Sequence, residues 1–77
     1  MSRKSKKTIL LETIGRNIRE CREDIGWTQA KLAKKIGMNR ATLCQIERGK
    51  AGTPITRLND MAEAMGLSLQ FDLMDGT

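Results

Sequence analysis

Apolar residues recur at intervals of three and four along most of this chain, which is the spacing of one face of an α-helix. The spacing predicts a first helix over residues 11–25 and a short second helix over residues 29–36. A third helix is expected to begin after Asn39, and a fourth to end near Met65. Four short helices of this kind predict an all-α domain with one small core.

Residues suited to helix ends stand between the apolar stretches. Thr28 and Asn39 are expected to cap the second and third helices, because their side-chain oxygens can accept from unpaired amides of a first turn. Gly37 allows the left-handed backbone that ends a helix, so a sharp turn should separate these two helices. Thr53 is predicted to cap the fourth helix, with Pro54 in its first turn.

The pattern changes near the C-terminus. Leu69, Phe71 and Leu73 alternate with polar residues, and this period of two predicts a short, half-buried β-strand. No second strand is visible in the chain, so the strand is expected to pair with the same strand of a second molecule. The alternative is a tail whose apolar residues cap the core of one subunit.

The third helix has two different faces. Leu43 and Ile46 should point to the core, while Arg40, Ala41, Gln45 and Arg48 cluster on the opposite side. An exposed arginine, a small residue and an amide match the edges of guanine, thymine and adenine in the major groove. The alternative is an ordinary solvated helix face.

Several short motifs support the nucleic-acid interpretation. They are TQ at 28–29, LA at 32–33, Gly37 and IERGK at 46–50. With these residues the chain resembles, over roughly residues 11–67, the helix-turn-helix of the Cro and phage-repressor family, also called the XRE family. The resemblance implies a compact, λ-repressor-like four-helix domain that binds DNA as a two-fold dimer, with the third helix in the major groove.

The same resemblance suggests roles for individual residues. It implies an ion pair between Arg22 and Glu47 that ties the first helix to the third; two unrelated surface charges are the alternative. The residues expected to contact bases are Arg40, Ala41, Thr42 and Gln45. The residues expected to contact phosphates are Gln29, Asn39, Arg48, Lys50 and Arg57.

The C-terminal strand adds a second resemblance. A helix-turn-helix domain followed by one strand is similar to antitoxins of the HipB type, in which the strand completes a dimer. The leading prediction is a homodimeric repressor that binds a palindromic operator. The alternatives are an antitoxin with a protein toxin as partner, or a restriction–modification controller protein.

Composition restricts the other possibilities. The 77 residues include no His, only two Cys and no long apolar run. The chain therefore lacks the residues expected for a metal site, a nucleophile–base pair or a membrane span. We therefore expect neither an enzyme nor a cofactor. In the absence of a signal peptide or a cysteine framework, the reducing cytoplasm is the expected compartment.

Charge is distributed unevenly along the chain. Residues 1–57 hold all 14 Lys and Arg and five of the nine acids, a net charge of +9, whereas residues 58–77 carry −4. The basic part suits a phosphate backbone, and the acidic end is better suited to protein contacts. The expected division is a flexible basic arm at 1–8, the DNA-binding domain at 9–67 and the dimerisation strand at 68–77.

Overall fold

The computed structural model describes residues 3–67, which form four α-helices. Their bounds are Lys6–Asp24 for α1, Gln29–Lys35 for α2, Arg40–Glu47 for α3 and Ile55–Ala64 for α4. The predicted all-α class and the order of the four helices are confirmed. The predicted strand with Leu69, Phe71 and Leu73 lies outside the described residues.

Two of the predicted N-caps are present and one is wrong. Thr28 Oγ1 accepts from the Lys31 amide at 3.1 Å, and Asn39 Oδ1 accepts from the Ala41 amide at 2.7 Å. At α4 the cap position belongs to Pro54 rather than Thr53, and no side chain bonds to the first turn. The Pro54 backbone is extended, with ψ of 151°, so the helical conformation starts only at the next residue.

The first helix begins five residues before the predicted start. Ser5 Oγ accepts from the Thr8 amide at 3.1 Å, and Lys4 Nζ lies 2.8 Å from Glu12 Oε1. A serine cap favours the helical form of this basic stretch, whereas the exposed ion pair adds little stability. Residues 6–8, which were assigned to a flexible arm, therefore form the first turn of α1.

A glycine with positive φ follows the last turn of every helix among residues 3–67. The four glycines have φ between 68° and 76°: Gly26, Gly37, Gly49 and Gly66. After α4, for example, the Leu67 amide donates back to the Ala62 carbonyl at 2.7 Å. This bond from the second residue past the C-cap, Met65, to the last turn of the helix is the Schellman ending. The connections between α1, α2 and α3 are consequently short, at four residues each.

Apolar side chains from all four helices meet in one core. Three of them, Leu32, Leu43 and Met61, are completely or almost completely buried. Trp27 is half-buried at the edge of the core, with Lys31 Nζ 4.7 Å from the centre of its ring. Ile25, whose side chain is also apolar, is 41% exposed because it is the C-cap residue of α1.

Two glycines let α1 and α3 approach closely. A Cβ atom on Gly15 would lie 2.7 Å from the carbonyl oxygen of Glu47 and closer still to that of Ile46. A Cβ atom on Gly49 would lie 2.7 Å from Glu12 Cα. Both distances are too short for a real side chain, so the backbones of α1 and the end of α3 are in direct contact. This contact sets the position of α3.

Candidate nucleic-acid interface

The third helix exposes one side and buries the other. Its buried residues are Leu43, Ile46 and Glu47, so the predicted inward face is confirmed for the two apolar residues. All four residues predicted to contact bases are exposed, and so is the phosphate candidate that follows the helix: Arg40, Ala41, Thr42, Gln45 and Arg48. An exposed face of one short helix therefore offers one guanidinium, one amide, a hydroxyl and a methyl group in adjacent turns.

A buried ion pair holds the end of this helix. Arg22 Nε donates to Glu47 Oε2 at 2.8 Å, and Arg22 Nη2 donates to Glu47 Oε1 at 2.9 Å. Arg22 Nη1 also donates to the Trp27 carbonyl at 2.7 Å. The two side chains are only 9% and 2% exposed. Paired guanidinium–carboxylate bonds of this kind fix both groups in direction as well as in distance.

The ion pair changes the acidity of both groups. Burial alone would raise the pKa of Glu47, and it is the largest single influence on that carboxyl. Hydrogen bonds from Arg22 and Gln29, with the nearby positive charge, outweigh burial and leave the pKa of Glu47 below its ordinary value. The hydrogen bond to Glu47 raises the pKa of Arg22. The pair is therefore fully charged at neutral pH.

Gln29 connects this pair to the exposed start of α3. Its Nε2 donates to Glu47 Oε1 at 3.0 Å, and its Oε1 accepts from Arg40 Nη1 at 3.3 Å. Gln29 was predicted to contact phosphate; both ends of its amide have partners within the protein, and its nitrogen keeps a second N–H. The four side chains form one hydrogen-bonded series from the core to the surface.

The remaining phosphate candidates lie around the ends of α3 and α4. Asn39, Arg48 and Lys50 are exposed. Arg57 is half-buried, and its Nη1 donates to the Ile36 carbonyl at 2.6 Å. A positive group at this carbonyl is favourable because it meets the negative end of the α2 dipole. Arg57 and Asn39 line the same shallow depression beside the turn between α2 and α3.

An apolar groove lies on a different part of the surface, between α1 and α4. Its volume is about 410 Å³. Two of its lining residues, Leu10 and Leu67, are 58% and 43% exposed. The remaining lining residues are mostly aliphatic or sulfur-containing: Ile14, Asn17, Ile18, Cys21, Leu58, Met61, Ala62 and Met65.

One residue that positions the interface was not predicted from the sequence. Gly15 stands in the middle of a long helix, where a glycine costs about 1 kcal/mol relative to alanine. That cost was the available signal, because a glycine in a helix interior often marks a close approach of another backbone. The two hydrogen bonds of the Gln29 amide were also not predicted, and they had no local signal in the sequence.

Within residues 3–67 no helix combines the length and the apolar character needed to cross a lipid bilayer.

The chain is similar in sequence and in fold to known DNA-binding regulators. Antitoxin HipB of Escherichia coli K12 is 38% identical over 48 residues, which are 62% of this chain and 54% of HipB. The chain thus spans about half the length of the HipB antitoxins that it matches. The crystal structure of the restriction–modification controller protein C.AhdI from Aeromonas hydrophila superposes with a TM-score of 0.75 and 27% identity, covering 78% of this chain and 91% of C.AhdI.

A chain in a solved HipA-HipB-O2-O3 complex also superposes, with a TM-score of 0.64 and 28% identity over 92% of this chain and 94% of that one. The family model described as helix-turn-helix matches residues 18–71, which is more than half of the sequence. With the four helices and the exposed α3, this match shows that the chain belongs to the XRE-type helix-turn-helix family of DNA-binding regulators.

Proposed function

We propose that this protein is a transcription regulator that binds a palindromic operator as a homodimer and represses its own promoter. We propose that the protein acts in the cytoplasm, at the nucleoid, and that it is a binding protein rather than an enzyme. The observation that carries it is the division of α3, whose apolar side is buried while Arg40 and Gln45 remain exposed on one surface.

The exposed residues divide by chemistry. Arg40 and Gln45 can form paired hydrogen bonds with guanine and adenine, respectively, and Ala41 can contact a thymine methyl group. The Thr42 hydroxyl can either donate a hydrogen bond to a base edge or accept one from it. The proposed phosphate contacts are Asn39, Arg48, Lys50 and Arg57, which add affinity without sequence information. Gln29 also belongs to this proposed set, because its amide nitrogen carries a second N–H besides the one that it donates to Glu47.

Selection of bound duplexes from random DNA with the purified protein tests the proposal directly. The expected result is one palindromic consensus with half-sites about 34 Å apart, bound by two copies of the protein. Failure to enrich any sequence, with equal affinity for every duplex, would contradict sequence-specific binding.

Gln45→Ala then tests the assignment of base contacts. This variant should lose about 1–3 kcal/mol on the selected operator and relax preference at one position, while its affinity for random DNA is unchanged. Lys50→Ala is the matched control, since it should weaken binding to both duplexes alike and reduce the salt slope by about one. Equal losses on both duplexes for Gln45→Ala would remove Gln45 from the base-contacting set.

Dimerisation is the second part of the proposal. The apolar groove between α1 and α4 remains open at Leu67, the residue that precedes the predicted strand. We propose that Leu69, Phe71 and Leu73 pair across the two-fold axis and cover apolar surface over α4. The alternating pattern supplies a matched pair of variants for this test. Phe71→Asp should give a monomer in analytical ultracentrifugation, whereas Gln70→Asp, on the other side of the strand, should remain a dimer.

A second candidate function is that of an antitoxin. It is favoured by the similarity to HipB and to a chain of the HipA-HipB-O2-O3 complex, together with the acidic C-terminal part of the chain. A toxin encoded beside this gene would then form a stoichiometric complex on co-expression, and growth arrest by that toxin would be relieved. A restriction–modification controller, as C.AhdI is named, would instead have a restriction operon beside it and no such complex.

A further inference from the structure

Positive side chains are concentrated at the start of α1. Residues 3–7 contain four cations and no acid, and all four cationic residues are exposed. These residues, here termed the amino-terminal basic patch, are Arg3, Lys4, Lys6 and Lys7. A surface with one sign of charge attracts a polyanion, and the attraction grows with the number of charges that face it.

The patch has a defined position at the edge of the domain. Ser5 Oγ accepts from the Thr8 amide at 3.1 Å and lies 3.0 Å from Thr8 Oγ1, so the entry into α1 is capped. Lys4 Nζ contacts both carboxylate oxygens of Glu12, at 2.8 and 3.1 Å. The patch therefore belongs to the folded part of the chain.

Glu12 places the patch beside the end of α3. A Cβ atom on Gly49 would lie 2.6 Å from Glu12 Cγ, so the Glu12 side chain runs directly past Gly49. The sequence neighbours of Gly49 are Arg48 and Lys50, which are exposed and are proposed to contact phosphate. Lys4, which is bound to Glu12, is thus separated from this loop by one side chain.

The orientation of α3 determines what this surface meets. In a helix-turn-helix the first residues of the recognition helix contact base edges. The other end of α3, with Arg48 and Lys50, then lies at the edge of the groove, where the phosphate backbone passes. An acidic protein segment would suit the same charge, but continuity with the proposed phosphate contacts favours DNA.

We propose that the amino-terminal basic patch binds phosphates that flank each half-site, and that Lys4 makes one of these contacts. An ammonium group has three N–H donors, and the two oxygens of Glu12 leave one of them for a phosphate oxygen. Lys4 also offsets the charge of Glu12, which by itself would repel the DNA backbone. The inference rests on the proposed binding of DNA through α3 and extends that contact to α1.

Ethylation interference on the selected operator identifies the contacted phosphates directly, because an ethylated phosphate has lost its charge. In the wild type we expect interference at phosphates that flank each half-site. At least one of these positions should no longer interfere in Lys4→Met. Lys34→Met, which removes a charge from an exposed position of α2, is the control and should keep the wild-type pattern. An unchanged pattern in Lys4→Met would overturn the proposed contact.

The salt dependence of binding to random DNA gives an independent count of contacts. Lys4→Met should lower the salt slope by about 0.9, and the further replacement of Lys6 and Lys7 by Met should lower it more. An exposed ion pair adds little stability, so these variants should keep the Tm of the wild type. A wild-type slope in the triple variant would overturn the role of the patch.

A Glu12→Gln background separates a phosphate contact from simple shielding of Glu12. If Lys4 contacts phosphate, Lys4→Met should still lower the slope by about 0.9 in this background. If Lys4 only shields the carboxylate, the substitution should have no effect there, and the proposed contact would be overturned.

The outcomes also separate this inference from the proposed function. If no operator is selected but Lys4→Met lowers the slope on random DNA, the proposed function fails and the patch remains a phosphate-binding surface. If an operator is selected and both the slope and the interference pattern are unchanged, only the inference fails. A variant that loses dimerisation with an unchanged slope would assign the patch to an acidic segment of a second copy, and would also overturn the inference.

Discussion

The guanidinium of Arg22 and the carboxylate of Glu47 meet through two hydrogen bonds of 2.8 and 2.9 Å between α1 and the end of α3. The pair joins residues 25 positions apart in the sequence. Because Glu47 also accepts from Gln29, one buried carboxylate holds together α1, α2 and α3. The orientation of the exposed face of α3 therefore depends on this carboxylate.

Removal of the carboxylate should be costly. Glu47→Ala leaves the Arg22 charge buried and unpaired, and we expect a loss of about 3–5 kcal/mol in the free energy of unfolding. For a domain of this size, thermal denaturation should show a fall in Tm of about 15 °C or more. Glu63→Ala, at an exposed position of α4, is the control and should change Tm little. A Glu47→Ala variant that melts like the wild type would contradict the energetic role of the pair.

The same pair predicts a dependence of stability on pH. The pKa of Glu47 is lowered in the folded protein, whereas an unfolded Glu has a pKa of about 4.3. Below that value the unfolded chain binds more protons, so this contribution to stability is complete above about pH 5 and is lost as the pH falls through the folded pKa.

Comparison of the wild type with Glu47→Gln isolates this contribution, since all other carboxyls are shared. The difference in Tm between the two proteins should be constant from pH 7 to about pH 5 and should narrow as the pH falls towards 3. A difference that does not narrow would mean that the charge on Glu47 does not stabilise the fold.

The close approach of α1 and α3 gives a third prediction. Gly15→Ala would raise helix propensity by about 1 kcal/mol at an ordinary helix position. Here the added methyl group would lie against the carbonyl oxygens of Ile46 and Glu47, so we expect a net loss of about 1–3 kcal/mol, measured by urea denaturation. Glu20→Ala, at an exposed position of the same helix, should be neutral or slightly stabilising. An equally stable Gly15→Ala would show that the two helices can separate freely.

Arg57 is expected to have two separable roles. Its hydrogen bond to the Ile36 carbonyl ties α4 to the end of α2, and Arg57→Ala should cost about 1–2 kcal/mol of stability because a bond from a charged donor is lost. The same variant should weaken operator and random DNA alike, with a salt slope smaller by about 0.9.

Arg57→Lys serves as the matched control, since it keeps the charge but not the planar group. This variant should recover most of the DNA affinity and little of the stability. If the salt slope of Arg57→Ala equals that of the wild type, Arg57 stabilises the domain without contacting phosphate.

The sequence by itself determined the features that depend on neighbouring residues. Thr28 and Asn39 cap helices through amides two or three residues away, and Gly37 ends α2 through the backbone of its last turn. Such interactions close within one helical turn, so their signal is complete in a short window. The inward direction of Leu43 and Ile46 likewise follows from helical spacing alone.

Local rules were less reliable where two neighbouring residues could serve the same purpose. The cap at Ser5 was not predicted because the stretch after it is basic and has no apolar anchor, although a serine before a helix is a favourable signal. Thr53 and Pro54 are both acceptable near the start of a helix, and the backbone conformation of Pro54 decided between them.

Only the tertiary structure decided how the exposed residues are supported. Gly15 lies against the end of α3, Gln29 links Glu47 to Arg40, and Arg57 reaches the end of α2. These contacts join residues 11 to 32 positions apart, and they depend on the distances and angles at which helices pack. A pattern along the chain contains the residue types for such contacts but not their separation in space, which is fixed only when the helices close around a common core.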